Sequence, residues 1–328
     1  MDLAAIPHPH FGLGTVRRSG HSFAGLLLDG KVLELDSVAA ELELQAPVIV
    51  RDVLDEWDRT LPRLRSLTHT NGAWHDLDSV EVLAPIEPRQ ILQAGANYRT
   101  HVIDLAVKHA ELADGRTEEQ VRADAAVMMD KRAAEGTAYF FIGLPSAVTG
   151  PYDTVALPPN TTKNDWELEL AAVIGRRTHR VGVDEALDAV AGYTIVNDLT
   201  TREFVFRRDM PEIGTDWLRS KNAPGFLPLG PWSVPTEDAG EVSDMRLTLE
   251  LNGERMQDES TKDMLFGVAQ LISTVSQTVT LLPGDLVLTG SPAGNGMHWG
   301  RLLRDGDVME STITGLGYQR TPVVGASA

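Results

Sequence analysis

The sequence predicts an α+β, β-rich chain with a small N-terminal α+β domain (residues 1–80) ahead of a larger domain (81–328). Three observations predict it. From Ala138 onward, short apolar stretches alternate with Gly and Pro turns, the punctuation of strands rather than of long helices. Helical periodicity is confined to a few segments, chiefly Thr100 to Ala134 and Thr261 to Ser276. No glycine-rich phosphate loop precedes a helix, which argues against a doubly wound nucleotide fold.

Taken in order, Phe11 to Val16 and Ser22 to Leu28 are strand-like, and Asp29-Gly30 signals a type I′ hairpin turn into Lys31 to Leu35. Ile49, Val53, Leu54, Trp57 and Leu61 recur at helical spacing, with Pro62 as an expected interruption. His8 and His10 lie in a Pro-rich terminal segment without a neighbouring acid and are expected to be solvated. Arg89 to Ala94 reads as a short strand. The polar, alanine-rich segment that follows, near 100–137, is expected to be helical and broken at Gly115, with Thr117 to Gln120 as a capping box. Placed after a candidate site, it reads as a cover or an oligomer contact. Val183 to Val190 and Thr261 to Ser276 are the expected later helices, with strands at 193–197, 245–251, 285–289 and 307–314.

Composition narrows the function classes. With 47 acidic and 29 basic residues the formal charge is −18, which disfavours nucleic acid and anionic membranes as partners. The chain has no Cys, so disulfides and thiolate metal sites are excluded and a reducing, cytoplasmic setting is compatible. No apolar run approaches the length of a membrane span.

The most informative stretch is Asp165 to Gly175, where Glu167 and Glu169 stand two apart at the head of an apolar run. On a strand, positions i and i+2 share a face, so both carboxylates aim the same way. Two adjacent buried carboxylates repel, and a hard divalent ion with oxygen ligands would relieve them. The alternative is an edge strand with two solvated glutamates.

Six motifs then stand in order: Gly95-Ala96-Asn97-Tyr98-Arg99-Thr100-His101, Pro145 to Pro151, Trp166 to Leu170, Gly192 to Asp198, Phe226 to Pro231 after Lys221, and Pro283 to Gly294. Together, over roughly 85–325, they resemble the fumarylacetoacetate hydrolase family in its bacterial two-domain form. The resemblance implies a catalytic domain built as a mixed β-sheet rolled into a pseudo-barrel, usually a homodimer. It implies Mg²⁺ or Mn²⁺, with Ca²⁺ also possible, held by Glu167, Glu169 and Asp198. It also implies a small-molecule 2-oxo acid as substrate. The leading activity is hydrolysis of a C–C bond in a 2,4-dioxo acid of the acylpyruvate type, through a metal-bound enolate. The alternative is a decarboxylase, dehydratase or isomerase of a related 2-oxo acid or 2-oxo-3-deoxy sugar acid; a third reading is a non-catalytic oxo-acid binder.

Within that frame His101 is the candidate general base, as the side chain that titrates nearest neutrality. Asp104, three residues on, could orient its imidazole, although the family usually has Glu there; a merely local pair is the alternative. Lys221 is a candidate stabiliser of developing negative charge, against the alternative of a surface lysine. Arg202 could bind substrate or brace the metal carboxylates, and Tyr98 and Ser291 are candidate contacts for the substrate carboxylate. Three departures from the family pattern point to an altered substrate pocket: Gly143-Leu144 for Lys-Pro, Asn222-Ala223-Pro224 after Lys221 without the usual acid, and Thr201 for alanine.

Overall fold

The computed structural model describes Leu3, residues 6–109 and residues 116–326, apart from the side chains of His69 and His109. An antiparallel five-stranded sheet opens it, in spatial order Trp74–Asp76, Lys31–Glu34, His21–Leu28, Phe11–Arg18, Glu81–Val82. The hairpin turn falls where its residues demand: Asp29 and Gly30 both have positive φ, 49° and 76°. The last strand comes from beyond residue 80, with Val82 opposite Val16.

Two larger sheets and two two-stranded ones, Asn164–Asp165 with Thr200–Thr201 and Val148–Thr149 with Leu227–Pro228, carry the rest. A mixed six-stranded sheet runs Val234–Pro235, Val190–Asn197, Leu168–Ile174, Leu286–Leu288, Ile91–Gly95, Tyr139–Gly143, with the Leu286–Leu288 and Ile91–Gly95 strands parallel. The other larger sheet runs Glu254–Ser260, Arg246–Leu251, Val308–Ile313, Gly317–Val324, Val155–Ala156. The β-rich α+β class read from the sequence is the one observed.

The way these layers pack decides where a site can form. Ile91, Ala171, Val173, Val196, Leu286 and Leu288 pack in one cluster with Leu26, Val53 and Leu54 of the N-terminal part. Glu167 and Glu169 share the sequence parity of Ala171 and Val173, so the alternation that buries the alanine and valine brings the carboxylates to the end of the same face. The apolar middle of the face is covered, and its polar end is left for chemistry.

Three expectations about helices need amendment. The first helical stretch breaks at Glu56, between Val50–Asp55 and Trp57–Ser66, and Pro62 lies inside the second helix. The Thr60 hydroxyl, donating toward the Val53 carbonyl at 2.7 Å, ties that junction instead. Val183–Ala189 is a 3₁₀ helix. The stretch from Thr261 is divided into a 3₁₀ turn, Thr261–Asp263, and an α-helix, Val268–Ser276. Asn97 divides it: its carbonyl oxygen accepts from Phe266 N at 3.0 Å, its amide donates to Phe266 O at 2.9 Å, and its backbone oxygen accepts from Leu265 N at 2.7 Å. The polar segment forms two helices, Arg99–His109 and Glu118–Glu135, the second with the Thr117–Gln120 capping box. The expected break at Gly115 lies outside the described residues.

Candidate active site

A cleft of about 160 Å³ opens at the polar end of the six-stranded sheet, lined by Ala94 to Ala96, His101, Leu105, Phe141, the acids Glu167, Glu169 and Asp198, and Arg202, Trp217, Lys221 and Ser291. Asn197 and Asp198 are clamped to the acidic strand: Asn197 Oδ1 accepts from Glu167 N at 2.9 Å, and Asp198 N donates to Glu167 O at 2.8 Å. One oxygen from each of Glu167, Glu169 and Asp198 then lies within 4.8 Å of the others. The two alternatives for the Glu167–Glu169 pair are thereby separated, because Glu169 and Asp198 are buried and no solvated edge is involved.

Lys221 is buried rather than on the surface. Its ammonium donates to Glu167 Oε2 at 2.5 Å, to Asp198 Oδ2 at 2.6 Å and to the Asp198 carbonyl at 2.9 Å. Arg202 braces the acids from the other side, with Nε on Asp165 at 2.7 Å and NH2 on Glu167 at 2.5 Å. Burial opposes the charge on both cations, and the surrounding carboxylates more than restore it, so both stay protonated. For Glu167, burial would raise the pKa, but Arg202 and Lys221 hold it well below the usual carboxylate range. Glu169 moves the other way: burial first, then the charge of Asp198, push it well up. Gly290 N, donating to Glu169 Oε2 at 2.7 Å, offsets only part of that.

Four carboxylates (Asp165, Glu167, Glu169, Asp198) thus face two cations, and full ionisation leaves two negative charges uncompensated. An all-oxygen donor set with that surplus fits one hard divalent cation, such as Mg²⁺ or Mn²⁺, with Ca²⁺ also compatible. Arg202→Lys removes the two-armed brace while keeping a charge. Its expected result is a Mn²⁺ affinity lower by about 10–100-fold, read by metal titration, as for other groups that orient metal ligands.

His101 lies in the cleft wall on the helix Arg99–His109. Burial brings its pKa down to about 4, with the Glu167 charge only partly opposing, so the ring is neutral near pH 7. The expected hydrogen bond to Asp104 does not form in this state. Asp104 Oδ1 accepts from Arg122 at 2.8 Å and Oδ2 lies 3.6 Å from His298 Nδ1, because the following helix and the Gly296–Trp299 turn offer it partners. Tyr98 is also displaced from its expected role: its side chain is fully buried and does not line the cleft, since its backbone pairs with Met264. Ser291 does line it, with Oγ accepting from Gln257 Nε2 at 2.9 Å.

Several contributors were invisible in the sequence. Gln93 donates to Asp198 Oδ1 at 2.6 Å, and Asp165, fully buried, accepts from Gly296 N and Trp166 N as well as Arg202. Phe141 and Trp217 stack at 4.7 Å between ring centroids. The first two departures from the family pattern meet here: Asn222 Oδ1 accepts from Leu144 N at 2.6 Å, and a Cβ at Gly143 would stand 2.6 Å from Gln93 Oε1. Thr201 is buried and donates to Asn164 Oδ1 at 2.9 Å.

The family model described as fumarylacetoacetate (FAA) hydrolase C-terminal matches residues 90–324. The chain belongs to the fumarylacetoacetate hydrolase family. A 2,4-didehydro-3-deoxy-L-rhamnonate hydrolase from a Sphingomonas strain is 46% identical over 181 residues, 54% of this chain; the match spans 62% of that relative's length. A mitochondrial oxaloacetate tautomerase from Bos taurus is 31% identical over 324 residues, covering 97% of this chain and 89% of the relative. Among solved structures, the fumarylacetoacetate hydrolase of Exiguobacterium antarcticum superposes with a TM-score of 0.74 at 28% identity, covering 96% of this chain and 99% of that one. That solved structure shares the fold over nearly the whole chain, and among the described residues no helix is long and apolar enough to cross a membrane.

Proposed function

We propose that this family member is a divalent-metal-dependent hydrolase that cleaves the C3–C4 bond of a 2,4-dioxo acid, giving a carboxylic acid and a 2-oxo acid. The observation that carries the reading is the convergence, in one cleft, of three carboxylate oxygens, two fixed cations and a neutral imidazole. Glu167, Glu169 and Asp198 would hold the ion, which when bound supplies Lewis acidity toward the 2-oxo acid end of the substrate. His101, uncharged near neutrality, accepts a proton from water as the water oxygen bonds to C4. The C3–C4 bond then breaks, its electron pair stays on the C3 side, and the proton returns to C3. Lys221, a cation of the cleft lining, is given the role of stabilising part of the negative charge that develops in that step. Asp104 is a positioning residue whose negative charge favours the protonated form of His101 once the proton has moved. The 46% identical relative, named for a substrate oxidised at carbons 2 and 4, supports this choice.

A second reading, enol–keto tautomerisation of a 2-oxo acid, is favoured by the relative that aligns over nearly the whole chain. It needs proton transfer at C3 but no attack by water. Cleavage of an acylpyruvate by the wild type separates the two, and His101→Ala tests the base. Under the hydrolase reading its kcat/KM for acylpyruvate cleavage falls by about 10²–10⁴ while the Mn²⁺-induced rise in melting temperature persists. Cleavage at the wild-type rate in the variant, or no cleavage of any acylpyruvate by the wild type with Mg²⁺ or Mn²⁺, would overturn it.

A further inference from the structure

The reading as a 2,4-dioxo-acid hydrolase leaves open what lies beyond C4, and the walls of the cleft bear on it. Resting on that reading, we propose that the distal part of the substrate is uncharged, so that the enzyme takes 2,4-dioxo acids with a single carboxylate and a neutral, C–H-rich acyl end and discriminates against dioates.

Arg202 and Lys221 are the Lys and Arg side chains that line the cleft among the described residues, and both are already committed. Arg202 is bound to Asp165 and Glu167, and Lys221 to Glu167 and Asp198. The third basic side chain in the lining, His101, is the one assigned to the attacking water. Residues 110–115, outside the described part, are Ala, Glu, Leu, Ala, Asp and Gly and carry no basic group. What remains of the wall is the uncharged Ser291 hydroxyl, which accepts from Gln257 Nε2 at 2.9 Å, and small or apolar residues: Ala94, Gly95, Ala96, Leu105 and the Phe141–Trp217 stack. That stack is fixed in place, because the Trp217 indole donates to the Tyr139 hydroxyl at 2.6 Å. Lys221 Nζ lies over the Phe141 ring at 5.6 Å from its centroid, so the ring already meets positive charge.

Aromatic faces carry partial negative charge. They attract C–H groups and cations and repel a carboxylate. A second carboxylate placed along this wall would lose water, meet no uncommitted Lys or Arg among the described lining residues and feel Glu167, Glu169 and Asp198 nearby. A neutral hydroxyalkyl or alkyl end meets none of these penalties. The first carboxylate is different, because it belongs to the 2-oxo acid end, where the bound cation would supply the missing positive charge.

The test compares two acids of equal chain length, 2,4-dioxoheptanoate and 2,4-dioxoheptanedioate, with Mg²⁺-loaded protein. Both kcat/KM and the Kd from calorimetry are measured. The expected preference for the mono-acid is at least about 20-fold in Kd, the scale of discrimination an unpaired charge imposes. Equal or tighter binding of the dioate, or no binding of either, overturns the proposal. A mono-acid preference in Kd without turnover supports the substrate class and removes the hydrolase reading, so the two fail separately. Trp217→Arg, placing a cation on the wall, is expected to narrow the preference at least about fivefold by tightening dioate binding, while Trp217→Leu retains it. A preference unchanged in a folded Trp217→Arg protein overturns the role given to this wall.

Discussion

Glu169→Gln is expected to abolish metal-dependent turnover while making the metal-free protein more stable. The substitution keeps the volume of the side chain, and a Gln oxygen can still accept from Gly290 N, so the loop after Leu288 stays tied. What it removes is one of three carboxylates gathered within 4.8 Å, in a place where burial and Asp198 already oppose the charge. Relieving that repulsion should raise the melting temperature of the metal-free protein by about 2–5 °C. Loss of a ligand should exceed the effect of losing a supporting group, so kcat/KM should fall by more than about 100-fold. The stabilisation that Mg²⁺ or Mn²⁺ confers on the wild type should vanish in the same variant. Differential scanning calorimetry with and without metal, beside an acylpyruvate assay, reads all three. A variant that still gains stability from metal and still turns over would remove Glu169 from the ligand set.

Gly294→Ala is expected to be the most destabilising single methyl that can be added near the site, by about 3–5 kcal/mol. Gly294 has φ +96°, and a Cβ built there would stand 2.0 Å from the Met256 carbonyl oxygen, inside any allowed contact. The backbone cannot drift away, because the Gly294 carbonyl accepts from the indoles of Trp166 at 3.1 Å and Trp299 at 3.0 Å. If Met256 moves instead, it takes Gln257 with it. Gln257 accepts from Leu168 N, between Glu167 and Glu169, and donates to Ser291, so the strain reaches the cleft. Gly253→Ala isolates the backbone contribution, since Gly253 has φ +80° and nothing within 4 Å of its added Cβ. That variant should lose only about 1 kcal/mol. Denaturant unfolding of both measures the difference, and a Gly294→Ala protein within 1 kcal/mol of the control would contradict the steric account.

Some of this could be read in the chain before folding, and some could not. The Asp29-Gly30 turn, the Thr117 capping box and the pairing of Glu167 with Glu169 were legible because each is a short-range property. A two-residue period or a four-residue cap is fixed by local backbone geometry, whatever the rest of the molecule does. The Thr261–Ser276 stretch misled for the converse reason. Its apolar face has helical spacing, yet Asn97, over 160 residues earlier, captures the backbone at Leu265 and Phe266 and leaves a helix only after Gly267. His101 and Asp104 show the same limit on a smaller scale. Their spacing put them on one helix, but the Asp104 carboxylate was open to competition from Arg122 and His298.

By itself, then, the sequence determined that the chain is β-rich, that its acids stand in strand register and that its motifs are those of one family. Gln93, Asp165, Phe141 and Trp217 carry no signal in sequence, because an ordinary residue becomes a support or a wall only when distant strands bring it to the same cleft. The charge balance at the centre of the site was decided by tertiary structure alone. Lys221 and Arg202 are separated in sequence from Glu167 by 54 and 35 residues, and only the folded sheet sets their cations against its carboxylate.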